Sequence, residues 1–435
     1  MVNAFDGEAV SPRSLTDWLR WQECLHTHEI ELGLERCRAV ATRMGLLPPT
    51  YTVITVAGTN GKGSTVAMLE RIYREAGYRV GAYTSPHLRR YNERIRVSNV
   101  MASDAQLCAA FEAVEAARLE IPLTVFEFGT LAALEIFRNS TLDIAILEVG
   151  MGGRLDAVNI VDANVAVIAS LDIDHVEFLG ASREQIAIEK AGIMRRDRPA
   201  ICSDPNVPGT LVSAAAEAGA ALALLGQSFH FERHVQHWTW WSGDCVRDRL
   251  PLPSLVGSYQ LRNAAGVLKV IERLSARHPV GDAEICRALA DTCLPGRFQR
   301  IVGDVEIILD VAHNAQAVEH FVATLCTLPR VTETHVVIGM LGTKDRSSVM
   351  QSLSKVVDCW HLASSNARQG ASAAELQATW CTLARRGSAT TYASVVDALA
   401  GARAAASVGA RLLVVGSFIT VGEALAVLQP DVLGG

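Results

Sequence analysis

The most chemically pointed stretch of the chain is Ala57-Gly58-Thr59-Asn60-Gly61-Lys62-Gly63-Ser64, a lysine set among glycines. Placed between a strand and a helix, such a turn lets backbone N–H groups and the positive helix end converge on an anion. The glycines allow close approach to phosphate oxygens, Lys62 is expected to reach the terminal phosphates of ATP, and Ser64 to open the helix as its N-terminal polar group. The spacing is not that of the common nucleotide-binding loop, which wants glycine at position 56 and Ser or Thr directly after the lysine. Here Val56 and Gly63 stand in those places.

Asp143 to Glu148 is an apolar run that ends in a carboxylate and gives way to Val149-Gly150-Met151-Gly152-Gly153-Arg154. Ligands of open parallel sheets bind at the carboxyl ends of strands, so Glu148 is expected to face the same crevice as the phosphate loop. Mg²⁺ is held by one or two protein oxygens together with waters and phosphates, and Glu148 is the natural ligand. Asp172-Ile173-Asp174-His175 follows a second apolar run, Asn164 to Ser170, and leaves His175 either as a metal ligand or as a surface or structural histidine. Lys190, near the end of an amphipathic helical pattern, reads from its position as a solvated residue serving the helix dipole. His230, His234 and His237 lie beside Trp238, Trp240 and Trp241. Strand alternation puts His230 and His234 on one face and His237 on the other, which favours packing over a metal or nucleic-acid site.

The elements that must position these residues follow from periodicity. Strands are expected at Thr52 to Ala57, Arg79 to Tyr83, Asp143 to Glu148 and Asn164 to Ser170, with helices at Ser64 to Gly77, Phe126 to Arg138 and Arg183 to Ile193. This alternation implies an α/β fold with a mostly parallel sheet and helices on both faces. Ser228 to Asp244 breaks the rhythm with an antiparallel excursion, and helices follow at Ser258 to Leu274 and Asp282 to Cys293. Leu294-Pro295-Gly296-Arg297 is a breaker cluster, so a boundary is expected there: a P-loop ATPase-like domain over 1–295 and a smaller Rossmann-like domain over 296–435. In the second unit strands are expected at Val305 to Leu309, His335 to Gly339, Asp358 to Leu362 and Arg411 to Gly416, with helices at Ala315 to Cys326 and Ser394 to Ala406.

Composition narrows the partners. A formal charge of -6 with no block of basic residues gives no attraction for nucleic acid. Ten cysteines without a C-x-x-C pair suit free thiols in a reducing compartment. Asp6 and Glu8 precede any apolar stretch and no 18-residue apolar run exists, so neither a signal peptide nor a membrane span is expected, and a cytoplasmic monomer is.

Taken in order, several motifs resemble the Mur ligase superfamily and, within it, the folate branch. They are Gly58 to Ser64, Thr84-Ser85-Pro86-His87-Leu88, Asn92-Glu93-Arg94-Ile95, Glu148 to Ala157, Glu189-Lys190-Ala191-Gly192, Leu294 to Phe298, Asp310-Val311-Ala312-His313-Asn314 and Gly416-Ser417-Phe418. The likeness runs from about Leu15 to Leu428. Three departures stand out: Val176-Glu177-Phe178 after the metal-type histidine, Ala315 in place of a common proline, and Ile419 where relatives often have histidine.

The resemblance implies an ATP-dependent amide ligase with its active site between two domains. Its substrates would be ATP, L-glutamate and a folate-type acceptor, dihydropteroate or reduced folates, activated as an acyl phosphate. It implies ATP-binding by Gly58, Thr59, Asn60, Gly61, Lys62, Gly63, Ser64, Asn263, Arg297 and Asp310. It implies two Mg²⁺ ions, one on Ser85 and Glu148 and one on Glu148 and His175, with Lys190 carbamylated beside them. Pteroate would be met by His87, Arg90, Phe126, Asp156 and Ala157, and glutamate by His313 and Ser417. Lys62, Lys190 and His313 would be the catalytic set, His313 orienting or deprotonating the amine. A cell-wall Mur ligase would be expected to carry a nucleotide-binding domain ahead of the phosphate loop, for which the residues before Gly58 leave little room.

Overall fold

A computed structural model describes residues 14–26, 30–383 and 387–430. Asp6 and Glu8 lie outside them. Eight strands form the larger sheet: β1 Thr52–Ala57, β2 Val80–Tyr83, β3 Ile95–Val97, β4 Val100–Met101, β5 Ile144–Glu148, β6 Val165–Ile168, β7 Pro199–Cys202 and β8 Ala221–Leu224. Their order is β4-β3-β2-β5-β1-β6-β7-β8. All pairs are parallel except β2 with β3 and β3 with β4.

The β-branched run of β1 is wholly buried because it packs on both faces. Val53 and Ala57 enter a core with the helix Val125–Arg138, while Ile54 and Val56 enter a second core with the helices Lys62–Glu75 and Ser258–Leu274. The expected excursion is an antiparallel three-stranded sheet, β9 His230–Arg233, β10 His237–Ser242 and β11 Cys245–Pro251. His230 and His234 therefore do not share a strand face with His237 opposite. His230 stacks on Trp241 of β10, and the turn brings the rings of His234 and His237 to 4.5 Å.

The remaining strands are β12 Gln299–Ile301, β13 Glu306–Leu309, β14 Thr334–Ile338, β15 Cys359–Ala363, β16 Ser388–Tyr392 and β17 Arg411–Val415. They form a separate sheet, β12-β13-β17-β14-β15-β16, parallel except for the β12–β13 pair. Ile308 points into one of its cores and Ile307 and Leu309 into the other. Both sheets thus have helices on two faces, as the alternation of elements implied. Among the described residues, no helix is long and apolar enough to cross a membrane.

Candidate active site between two sheets

Strand order reverses at β1 in one sheet and at the β17–β14 pair in the other, and the loops leaving these strands line one cavity of about 470 Å³. Crevices at such reversals are where α/β sheets bind ligands. From the larger sheet come the Gly58–Ser64 loop after β1, Ser85 after β2, Glu148 at the end of β5 and His175 beyond β6. From the smaller sheet come Asp310 and His313 after β13, Lys344 after β14 and Ser417 after β17.

The phosphate loop differs from expectation in one detail. The helix starts at Lys62, with Gly61 as its N-cap in a left-handed conformation (φ 84°), so Ser64 lies inside the first turn. Ser64 is buried and its hydroxyl accepts from Gln260 Nε2 at 3.2 Å. Lys62 Nζ folds back on the carbonyls of Gly58 (2.9 Å) and Thr59 (3.4 Å), a position from which it can turn to a phosphate. Burial lowers its pKa, opposed by Glu148 and Asp174.

Glu148 is 5% exposed, and its Oε2 accepts the Ser85 backbone N–H at 3.2 Å. Burial raises its pKa above the usual carboxylate range despite Lys62 nearby. A carboxylate that burial disfavours in its charged form gains from a cation beside it, which suits a metal ligand. His175 adopts φ 50°, strained for a non-glycine residue, which projects it into the cavity. Burial, then Lys344, push it down to about 4, so near neutral pH it is an uncharged imidazole, the form that binds metal.

Lys190 is not the solvated lysine its helix position suggested. It is 3% exposed and lines the cavity, and burial, reinforced by Lys62, pushes it down to about 7. A substantial fraction is then free amine near neutral pH, the form that reacts with carbon dioxide. Ser85, Glu148, His175 and Lys190 thus offer a hydroxyl, a carboxylate, an imidazole and a modifiable amine to one space, a set of donors that fits hard divalent cations.

Asp310 is fixed by the backbone N–H groups of Phe298 and Ala312, both at 2.8 Å, and burial raises its pKa. Arg297 lines the cavity, its guanidinium 5.0 Å from the Phe418 ring centre. His313 Nδ1 lies 2.9 Å from the Val311 carbonyl, which can only accept, so Nδ1 carries the proton and Nε2 faces Asp174 Oδ2 at 3.7 Å. Ser417 caps the helix Phe418–Leu428 through Thr420 N (3.0 Å) and lines the cavity.

His87 also lines the cavity. Arg94 Nε donates to its Nδ1 at 2.9 Å, and burial with Arg94 pushes the ring down to about 4. Arg90, Phe126, Asp156 and Ala157 are not in the cavity wall. Arg90 is exposed. Phe126 sits behind Gly150, where an added Cβ would fall 2.6 Å from its Cζ. Asp156 is buried, accepts from Met151 N at 2.8 Å and Val158 N at 3.1 Å, and is pushed up to about 7 by burial. Asn263 borders a smaller adjoining space with Asn60 and Gly61.

Asp174, Tyr259, His320 and Lys344 line the cavity but were given no role from the sequence. Tyr259 and His320 stack at 5.2 Å across the two units. The available signal was positional: Lys344 follows a glycine-containing turn after an apolar strand, as Lys62 does. Polar contacts also cross the gap, with Asn60 Nδ2 donating to Gln316 Oε1 (2.7 Å) and Asn314 Nδ2 to Asp174 Oδ2 (3.3 Å).

Residues 56–270 match the Mur ligase middle domain and residues 296–418 match the Mur ligase glutamate ligase domain. The dihydrofolate synthase/folylpolyglutamate synthase of Escherichia coli K12 is 41% identical over 428 residues, covering 98% of both chains. The solved structure of E. coli FolC with DHPP and ADP superposes with a TM-score of 0.91 at 41% identity, over 96% of this chain and 98% of that one. A bifunctional folylpolyglutamate synthase/dihydrofolate synthase structure with Mn, AMPPNP and L-glutamate gives a TM-score of 0.89, also at 41% identity with the same coverage.

Proposed function

This chain belongs to the Mur ligase family, among its dihydrofolate synthases/folylpolyglutamate synthases, and we propose that its cavity couples ATP to the joining of a folate-type carboxylate with the amine of L-glutamate. It is an ATP-dependent ligase. The observation that supports the acceptor reading is the meeting of Lys62, Glu148, Lys190, Asp310 and His313 around one cavity built by both sheets.

A carboxylate does not condense with an amine in water near neutral pH, so the acceptor must first become an acyl donor. ATP phosphorylates it: the acceptor oxygen attacks the γ-phosphorus and ADP leaves. Lys62 and the N–H groups of the Gly58–Ser64 loop hold the phosphates, and Arg297 adds positive charge from across the gap. Two divalent cations, Mg²⁺ in the cell, would supply neutralisation of the transferring phosphoryl group, held by Ser85 with Glu148 and by Glu148 with His175. Lys190 as a carbamate would add a carboxylate-like anion on the metal side.

The glutamate amine then attacks the acyl carbon and phosphate leaves. The amine must be unprotonated, and His313 Nε2, with Nδ1 committed to Val311, is the nitrogen able to orient it or take its proton. Ser417 and the Phe418 ring bound the glutamate side, and His87 with Arg94 the pteroate side. The Tyr259–His320 stack and the Asn60–Gln316 contact hold the two units together over the reacting atoms, which keeps water from the acyl phosphate. ADP release by the purified protein, with glutamate present, tests this reading against dihydropteroate and tetrahydrofolate separately. Turnover with both acceptors is expected. Turnover that ignores glutamate, or neither acceptor supporting it, would overturn the substrate assignment.

A further inference from the structure

At the opposite end of the smaller sheet, away from the cavity, three metal-binding side chains converge. Glu333 precedes β14, His335 lies in β14 and Cys359 opens β15, and their donor atoms lie within 4.8 Å of one another. The convergence follows from register: His335 and Cys359 are Cα partners in adjacent parallel strands, so their side chains stand side by side on one face.

His335 is 2% exposed, and its Nε2 finds no hydrogen-bond partner although it lies 3.4 Å from Glu333 Oε1. Buried imidazole nitrogens are ordinarily satisfied, and here Glu333 at 3.4 Å is only a loose partner, which leaves room for a shared ion. Its other nitrogen is spoken for. His335 Nδ1 lies 3.2 Å from His361 Nε2, and His361 Nδ1 lies 3.1 Å from the Tyr392 hydroxyl. In the tautomer where Nδ1 of His335 donates to His361, Nε2 presents a lone pair to a carboxylate and a thiol. Acceptors facing each other are stabilised by a proton or a metal cation between them. Glu333 is kept ionised by Ser407, whose backbone N–H (2.9 Å) and hydroxyl (2.7 Å) both donate to Oε1.

We propose that Glu333, His335 and Cys359 form a site for a borderline divalent cation such as Zn²⁺, separate from the ligase cavity, with His361 and Tyr392 orienting its histidine. The donor set of one N, one O and one S is of the kind zinc takes. With Zn–N and Zn–O near ~2.0–2.1 Å and Zn–S near ~2.3 Å, a tetrahedral edge is about 3.3–3.6 Å. The His335–Glu333 distance already matches that edge, and Cys359, half-buried at the strand end, needs only a small side-chain adjustment. Binding exchanges the Cys359 thiol proton to solvent, and water completes the fourth position from the open side. The ion would tie the loop carrying Ser407 to β14 and β15. The His361–Tyr392 relay is the outer-shell partner that ligating histidines usually have.

The test uses full-length protein stripped of metal, with Mg²⁺ in excess to fill the ligase cavity, and Co²⁺ as a visible stand-in for Zn²⁺. One Co²⁺ per chain is expected, with a thiolate-to-cobalt charge-transfer band that the ligase cavity does not offer, since no cysteine among the described residues lines it. Cys359→Ser should abolish the band and Glu333→Gln weaken binding, while His361→Gln should reduce affinity by about 10–100-fold. Ligase turnover should persist in Cys359→Ser, which shows that the variant is folded. Absence of the band in the parent protein, or its survival in Cys359→Ser, would overturn the site. So would a simple proton shared between His335 and Glu333, seen as a histidine titration indifferent to Zn²⁺.

Discussion

Lys344 Nζ lies 2.6 Å from Asp174 Oδ1, joining the loop after β14 of the smaller sheet to the loop after β6 of the larger one. Both side chains are nearly buried, at 9% and 12% exposure. Lys344 also stands 3.4 Å from His175 Nε2, so one ammonium both bridges the two units and biases the histidine toward its neutral form.

Lys344→Met should therefore impair the ligase without touching the phosphate loop. Loss of one member of a buried pair leaves the other charge uncompensated. Misplacing the two units by about 1 Å is expected to lower kcat/KM by roughly a hundredfold. In the metal-free protein His175 should titrate at higher pH once the ammonium is gone. Steady-state kinetics and an NMR titration check both, and an unchanged His175 titration would contradict the bridge.

Glu148→Gln separates function from folding. Its carboxylate is destabilised by burial, so replacing it with a neutral amide should leave the melting temperature equal or higher. Turnover should fall by at least about a hundredfold as a metal ligand is lost. A variant that melts lower yet turns over normally would contradict the metal role.

Lys190 gives a pH signature in buffer free of carbon dioxide. The folded-state pKa of about 7 lies below the ordinary value of 10.5. Between these values the unfolded chain binds a proton that the folded chain does not, so stability rises with pH across that window, by about 1.4 kcal/mol per unit, and levels off below it. Lys190→Met should remove that slope and be the more stable protein at pH 7. Lys190→Ala should lose ligase activity and regain part of it with added short carboxylic acids, which would take the place of the carbamate. Thermal melts across pH and a rescue titration measure these outcomes.

Gly61→Ala tests the loop geometry. An added Cβ would fall 2.8 Å from Asn263 Oδ1, at a φ of 84° that only glycine adopts freely. A stability loss of about 1–3 kcal/mol and a raised KM for ATP are expected. Normal ATP binding in this variant would argue against the loop conformation.

What could be read from the sequence divides along a physical line. The α/β alternation and the strands β1, β5, β14 and β17 are legible because both faces of each are buried, which leaves continuous apolar runs. The phosphate loop is legible because strand, glycines and lysine are contiguous. Ser64 was misplaced because the left-handed Gly61 starts the helix two residues earlier than its apolar spacing suggests. Lys190 has no local signature of burial, since what desolvates it comes from segments distant in sequence. Lys344 and His320 acquire meaning only across the gap between the two sheets, a relationship periodicity does not encode. The short β3 and β4 carry too few residues for an alternating pattern to register.

The central claim is that ATP activates the acceptor carboxylate inside the cavity that both sheets build. Dihydropteroate labelled with ¹⁸O in its carboxylate, turned over with ATP and glutamate, tests it most directly. One labelled oxygen should appear in each inorganic phosphate released, with ADP as the nucleotide product. Unlabelled phosphate, or label recovered in AMP, would contradict it.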